Sequence, residues 1–326
     1  MEHTRIDALD RVWHAVGELP EGPLDIVGDV HGEIGALRAL MTHLGYDEGG
    51  VHPRGRRLIF VGDLIDRGPD SPGVVRLVAR TMAHGGALAV MGNHDFNAVI
   101  GRQRKENSWL FGHGPVQEGE RRVTADAERE ELLGVLRGFP VALHRPDLRV
   151  VHAYWDDAAL ARLRSEDDPV RAHVKHRDAI RARFEGRPDP IAMELALQNE
   201  NPMKLVTSGP EYLAPAPFEA GGVVRTQQRE AWWERYTDVP AVVFGHYWRI
   251  PVKAGPPIFA GYADTEWLGP SRAMCIDYSV GWRSQNRRSG SSGAELGRLA
   301  ALRWPEAELV FDDGARKFVV PRAARV

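Results

Sequence analysis

The chain has 326 residues, 43% of them hydrophobic and 27% charged, with a formal net charge of −3. That balance suits a globular protein with a sizeable core, and it excludes the general attraction to nucleic acid or anionic lipid that a strongly basic chain would have. A single cysteine, Cys275, excludes an intramolecular disulfide and a multi-cysteine zinc site.

The first twenty residues, MEHTRIDALDRVWHAVGELP, form a charged amphipathic stretch rather than the apolar centre of a signal peptide. No apolar run approaches the length of a membrane span, so the cytoplasm is the expected compartment. From residue 24 the pattern is strand, loop, helix, repeated. LDIVGDVHG reads as a strand ending in Gly-Asp, and Ile34, Leu37, Met41 and Leu44 then recur at helical spacing, with Gly45 as the stop. RRLIFVGDLIDRG is a second strand and loop, followed by a helix over Val74 to Met82, and ALAVMGNHD is a third strand and loop. Intervals of about thirty residues fit βαβ units on a mostly parallel sheet.

Asp156 to Asn201 is a mixed-charge run that reads as helices laid over the surface, with a cap over the site as the alternative. Strands return at KLVTSG, PAVVFGHYW and AMCIDYSV, the last holding Cys275 as a buried thiol, and RLAALRW-PEA-ELVF reads as a terminal hairpin. REAWWER reads as a helix packing its rings on the body, SGSSG (Ser289 to Gly293) as a flexible loop, and His113, His173 and His176 as surface residues. The expected organisation is one domain over residues 1–326 with a charged helical insertion at about 156–201.

Three strands end in Gly-Asp or Gly-Asn (GDVHG, GDLIDRG, GNHD), and two later ones end in RVVHAYW and AVVFGHYW. In an open α/β sheet ligands gather at the carboxyl ends of strands, so Asp29, His31, Asp63, Asp66, Arg67, Asn93, His94, His152 and His246 are expected at one edge. Oxygen and imidazole donors without thiolate suit a pair of divalent ions such as Mn, Fe, Zn or Co better than Ca or Mg. A bridging carboxylate can hold two cations roughly 3.5–4 Å apart, with hydroxide between them as nucleophile. An arginine can grip phosphoryl oxygens, and an imidazole outside the metal shell can protonate the leaving group. Each motif alone is weak; five in order, each after an apolar strand, form a specific pattern.

GDVHG, GDLIDRGPDS, GNHD, His152 and Gly245-His246 resemble the signature of the phosphoprotein phosphatase family, within the calcineurin-like metallophosphoesterases. The resemblance covers residues 24 to 100 closely and the two distal histidines by motif. It implies an α/β fold of two packed mixed sheets flanked by helices (α/β/β/α) around a dinuclear site. It implies that Asp29, His31 and Asp63 hold one metal, that Asp63 bridges, and that Asn93, His152 and His246 complete the second. It implies His94 as proton donor, Asp66 as its orienting partner and Arg67 as a phosphate ligand. Manganese is the first expectation for both metals, with Fe, Zn, Co or Ni accommodated.

The chain departs from the pattern in places. GNHD stands where protein phosphatases have GNHE, and this Asp is closer to bacterial diadenosine tetraphosphatases. Tyr154 stands where a small residue is usual, and LLWSDP and SAPNY have no counterpart. Arg225 is the candidate for a second phosphate-binding arginine. Trp155 and Trp248, near the distal histidines, read first as packing and second as a platform for a nucleobase. The expected reaction is hydrolysis of phosphomonoesters by metal-bridging hydroxide. The alternative is hydrolysis of dinucleoside polyphosphates, and the non-enzyme alternative is a metal-free scaffold. The expected partner is a phosphorylated protein, small molecule or nucleotide. No membrane is expected and no basic stripe points to nucleic acid; oligomeric state is left open.

Overall fold

The computed structural model describes residues 13–116, 119–186, 189–220, 223–249, 258–289 and 297–322. Most of the N-terminal stretch and of the SGSSG loop therefore lies outside the described residues. The first half runs β1 (Val16–Glu18), β2 (Leu24–Val27), α1 (Ile34–Leu44), β3 (Arg57–Phe60), α2 (Ser71–Ala83), β4 (Ala87–Ala89) and α3 (Asn93–Val99). Then come α4 (Ser108–Phe111), α5 (Asp126–Arg137), β5 (Ala142–Arg145) and β6 (Leu148–Val151). Helices α6 (Asp157–Leu163), α7 (Pro169–Ala182), α8 (Pro190–Asn199) and α9 (Pro202–Ser208) follow. The chain finishes with β7 (Glu211–Ala220), β8 (Val223–Arg229), β9 (Ala241–Phe244), β10 (Ala273–Cys275), α10 (Arg283–Ser289), β11 (Ala300–Trp304), β12 (Glu308–Phe311) and β13 (Arg316–Phe318).

Two mixed sheets result, in the order β13-β12-β11-β2-β3-β4 and β1-β5-β6-β9-β10, with β7-β8 as a separate ribbon. Strands β2, β3 and β4 run parallel, as do β6, β9 and β10. The period-2 alternation of strands explains the packing. Leu24, Ile26, Ile59 and Val61 of one sheet and Leu148, Val150, Val243 and Met274 of the other share one buried cluster between the sheets. Val27, Leu58 and Phe60 instead join the cluster with α1 and α2 residues such as Leu37, Leu40, Val74 and Val78. Two mixed sheets flanked by helices is the arrangement the resemblance implied.

Asp25 interrupts the apolar run of β2 and is fully buried. It is satisfied by Arg56 Nε at 3.0 Å, Arg303 Nε at 3.2 Å and Tyr46 Oη at 2.8 Å. Helix α1 stops at Gly45, whose φ of 95° lets its N–H reach the Met41 and Thr42 carbonyls. Helix α2 starts earlier than the periodicity suggested: Asp70 caps it by accepting from Gly73 N at 2.8 Å, and Pro72 sits in the first turn.

Three expectations change. KLVTSG is not a strand but the body of α9, started by Asn201 as cap and Pro202 in the first turn. REAWWER carries a 3₁₀ turn over Trp232–Arg235, although both tryptophans are buried as expected. Of the three histidines expected at the surface only His113 is exposed. His173 and His176 are half-buried on α7, with His173 edge-on to Phe96 at 5.2 Å. The mixed-charge run does form helices, α6 to α8, and β11–β12 form the expected hairpin, which is not terminal because β13 follows and pairs with β12. Cys275 is buried, its Sγ donating to the Tyr247 carbonyl. No helix among the described residues is long and apolar enough to cross a membrane.

Candidate metal centre

The carboxyl ends of β2, β3 and β4 meet those of β6 and β9, so five loops converge. Gly62 and Gly92 let two of them touch: a Cβ on Gly92 would lie 2.1 Å from Asp63 N, and one on Gly62 would lie 2.4 Å from Gly92 N. His31, Asp63, Asp66, Arg67 and His246 all have φ between 47° and 74°. Such conformations cost about 1–3 kcal/mol each and persist where the surroundings enforce them. Here the Val30 and His31 N–H groups both donate to the Asp63 carbonyl, and Gly32 N donates to Leu64 O. Asp95, the last residue of GNHD, ties the loops together by accepting from Leu64 N and Gly92 N, each at 3.0 Å. Burial, with Asp63 nearby, pushes the Asp95 carboxyl up to about 7.

Asp63 is the centre of the arrangement. Donor atoms of His31, Asp63 and His94 lie within 4.8 Å of one another, and so do those of Asp63, His152 and His246. Asp63 thus belongs to both groups. Its Oδ2 is 3.7 Å from His31 Nε2 and its Oδ1 is 3.4 Å from His152 Nε2, while Oδ1 also accepts from His94 N at 2.8 Å. Asn93 Oδ1 sits between His152 Nε2 at 3.1 Å and His246 Nδ1 at 2.7 Å. Asp29 joins through the His246 N–H, which it accepts at 3.1 Å.

Carbonyl oxygens fix two of the imidazoles. His152 Nδ1 faces Val61 O at 2.8 Å and His31 Nδ1 faces Ile65 O at 3.1 Å, so each ring donates there and turns Nε2 toward the acids. The Nε2 lone pair of a neutral His152 then points at the Asn93 and Asp63 oxygens. Lone pairs facing lone pairs in a buried place require a proton or a cation. Burial alone would lower the His152 pKa, but Asp63 and Asp29 push it up to about 9. Burial, then the Arg67 charge, holds His31 well below its ordinary value; burial, then Arg229, does the same to His246. Asp29 is raised well above the carboxylate range by burial and by Asp277, whereas His152 and His94 overcome burial to hold Asp63 below it. A set of acceptors that can be satisfied only by added positive charge fits divalent cations.

Asp66 and Arg67 flank this centre. His94 Nδ1 lies 2.6 Å from Asp66 Oδ2, and the other Asp66 oxygen accepts from Trp109 Nε1 at 2.8 Å. The Arg67 guanidinium reaches His31 Nε2 at 2.8 Å and His94 Nε2 at 3.0 Å. His94 is partly exposed.

The remaining sequence-predicted residues divide. Trp248 is half-buried beside the site, with Arg67 Cζ 5.0 Å from its ring centroid. Trp155 is not brought to the site. It is buried, donates to Asp157 Oδ1 at 3.0 Å and is covered by Arg149 at 4.6 Å, since β6 ends at Val151 and the chain after His152 carries this ring away. Arg225 is exposed on the β7–β8 ribbon. Arg229, four residues along the same strand, is the arginine that reaches the centre: its Nη1 donates to His246 O at 3.0 Å, its guanidinium lies 5.5 Å from the Tyr247 ring, and among the described residues it makes no salt bridge. REAWWER reads from the sequence as a helix, which puts Arg229 on a different element from Arg225; the structure puts both on β8. Asp277 was also missed. It is buried, its Oδ1 accepts from Ser279 N at 2.8 Å, and its Oδ2 has no partner among the described residues. The only signal for it was an acid inside the apolar string MCIDY.

A family model for calcineurin-like phosphoesterases matches residues 22–247, well over half of the chain, and the chain belongs to that family. Among curated proteins it is 37% identical over 139 residues to an asymmetrical bis(5'-nucleosyl)-tetraphosphatase of Bacillus velezensis, covering 40% of this chain and 55% of that protein. It is 27% identical over 270 residues to a symmetrical bis(5'-nucleosyl)-tetraphosphatase of Methylococcus capsulatus, covering 77% of this chain and 90% of that one. The chain thus spans about half the length of the Bacillus relative and most of the Methylococcus relative. Among solved structures, a cold-active protein-tyrosine phosphatase of a Shewanella species superposes with a TM-score of 0.53 at 16% identity, over 95% of this chain and 83% of that one. That likeness is one of fold.

Proposed function

We propose that the protein is a metal-dependent phosphoesterase that hydrolyses dinucleoside polyphosphates. The observation that carries this reading is Asp63, shared by two His/Asp groups and flanked on one side by Arg67 and on the other by Arg229. The identity of the substrate is supported by the two bis(5'-nucleosyl)-tetraphosphatases among the relatives, which rank phosphomonoesters, first on sequence grounds alone, behind the nucleotide.

In this reading Asp29, His31 and Asp63 would hold one divalent cation, and Asp63, Asn93, His152 and His246 would hold a second. When bound, such a pair supplies Lewis acidity to the phosphoryl group and a nucleophile from water at neutral pH. The protein's own groups do the rest. Arg67 and Arg229 orient phosphoryl oxygens by charge-assisted hydrogen bonds. Asp66, held by Trp109, keeps the His94 ring with Nδ1 inward, so that Nε2 can carry a proton to the departing oxygen.

The test compares kcat/KM of the Mn²⁺-loaded protein for diadenosine tetraphosphate and for a phosphoserine peptide. A preference of at least about tenfold for the nucleotide is expected, worth about 1.4 kcal/mol in the transition state. A preference for the peptide would return the protein to the phosphomonoester reading.

A further inference from the structure

The chain has nine tryptophans. Seven of them, Trp13, Trp109, Trp155, Trp232, Trp233, Trp267 and Trp304, are buried. The two that remain half-exposed, Trp248 and Trp282, are neighbours: their ring centroids are 5.7 Å apart at 74°. A scattered pair of exposed rings would mean nothing, but these meet beside Arg67, whose Cζ lies 5.0 Å from the Trp248 centroid. Among the described residues, neither indole N–H meets a hydrogen-bond acceptor, unlike Trp13, Trp109 and Trp304, whose N–H groups are all engaged.

The backbone delivers Trp282 to this place. Ser279 adopts φ 63°, donates its N–H to Asp277 Oδ1 at 2.8 Å, and accepts from Trp282 N at 2.8 Å. The turn presses on the site through Gly281, where a Cβ would lie 2.7 Å from His31 Cδ2 and 3.0 Å from Arg67 Cδ. The buried Asp277 therefore shapes a turn that leads, past buried Val280 and Gly281, to a half-exposed indole beside the site.

We propose that Trp248 and Trp282 bind a nucleobase of the substrate, next to the phosphate held by Arg67. The inference deepens the dinucleoside polyphosphate reading and rests on it for the nature of the bound molecule. A base is one ribose away from its 5′ phosphate, so a phosphate at Arg67 places the attached nucleoside near the ring that this arginine already covers. Perpendicular indoles offer a face and an edge to a planar group, and two free N–H donors can meet its acceptors. Stacking on an aromatic side chain is tolerant of base identity, so the site recognises purine and pyrimidine alike.

The test measures binding of ADP and of ribose 5-diphosphate, which differ only in the base, by titration calorimetry of the Mn²⁺-loaded protein. Stacking predicts ADP binding tighter by about 5- to 150-fold. Trp282→Leu is expected to bring that ratio close to one, Trp248→Leu to lower it, and Trp282→Phe to recover part of it. Trp155→Phe leaves the ratio at its wild-type value. A wild-type ratio near one, or a ratio that neither Leu variant changes, overturns the proposal. The two readings fail separately. A protein that cleaves diadenosine tetraphosphate with a ratio near one has no base site here. One that prefers the phosphoserine peptide yet keeps a Trp282-dependent ratio has the base site and a different physiological substrate.

Discussion

Replacing His94 by alanine is the perturbation that best separates proton donor from metal ligand. His94 is grouped geometrically with His31 and Asp63, but its Nδ1 is taken by Asp66 at 2.6 Å, and Asp66 is itself fixed by Trp109 and by its own N–H donating to Ser71 Oγ. A ring anchored at Nδ1 by a carboxylate is free to turn Nε2 to a leaving group, as a general acid requires. General-acid catalysis contributes about 10²–10⁴-fold, or about 2.7–5.4 kcal/mol of barrier. That loss applies in full to alkyl esters and polyphosphates, whose leaving oxygens depart poorly without a proton. It falls below about tenfold for p-nitrophenyl phosphate, whose leaving group needs none. Asp66→Asn keeps the shape but removes the charge-assisted bond, costing about 1.5–3 kcal/mol, and should follow the same trend at about ten- to a hundredfold. The assay is kcat/KM for a series of aryl and alkyl phosphates plotted against leaving-group pKa, with metal content measured on the same samples. The plot should be steeper for His94→Ala than for wild type, at unchanged metal content. An equal loss on every leaving group, or loss of metal with the side chain, would refute the reasoning and make His94 a ligand.

Three further outcomes are expected. Arg229→Ala should lower kcat/KM for diadenosine tetraphosphate by about ten- to a hundredfold, the worth of a charge-assisted hydrogen bond, while Arg225→Ala stays within about threefold of wild type; the opposite ranking would reinstate Arg225. Asp25→Asn takes from Arg56 and Arg303 the buried carboxylate they share, leaving them Glu306 and Glu308, and urea unfolding should show a loss of about 3–5 kcal/mol; a loss below about 1 kcal/mol would show that Glu306 and Glu308 suffice. His173 is pushed down to about 4, by burial first and then by Lys204, Arg177 and Arg102. The unfolded chain takes up that proton near 6.5, the folded chain only near 4. More protons are bound unfolded across that window, so this residue's share of stability is present above about 6.5 and lost as pH falls toward 4. The stability advantage of wild type over His173→Gln should shrink over that range, and a gap independent of pH would contradict the assignment.

Much of the centre was legible because each strand announces its own end. An apolar run followed by Gly-Asp or Gly-Asn-His is a local pattern, and the parallel order of β2, β3 and β4 carries three such ends to one edge. Contacts that depend on which distant elements meet were not legible. Arg229 reaches His246 only because β8 runs on into the string REAWWER, which reads locally as a helix, and the β7–β8 ribbon folds back there. Trp282 reaches the site through the Asp277–Ser279 turn, which a strand-like string of apolar residues conceals. Trp155 has the role that read first from the sequence, packing: β6 ends at Val151, and the chain beyond it sets the ring against Arg149 and Asp157. KLVTSG illustrates the limit of propensity, since Val206 and Thr207 favour a strand while the Asn201-Pro202 start and packing against α6, α7 and α8 favour the helix that forms.

Counting bound cations tests most directly the proposal that Asp63 is a carboxylate that two of them would share. Equilibrium dialysis against Mn²⁺, with bound metal measured by mass spectrometry, should give two ions per wild-type chain and fewer than one in Asp63→Asn, with the variant's fold checked by circular dichroism. Two ions retained by a folded Asp63→Asn protein, or a single ion in wild type, would contradict it.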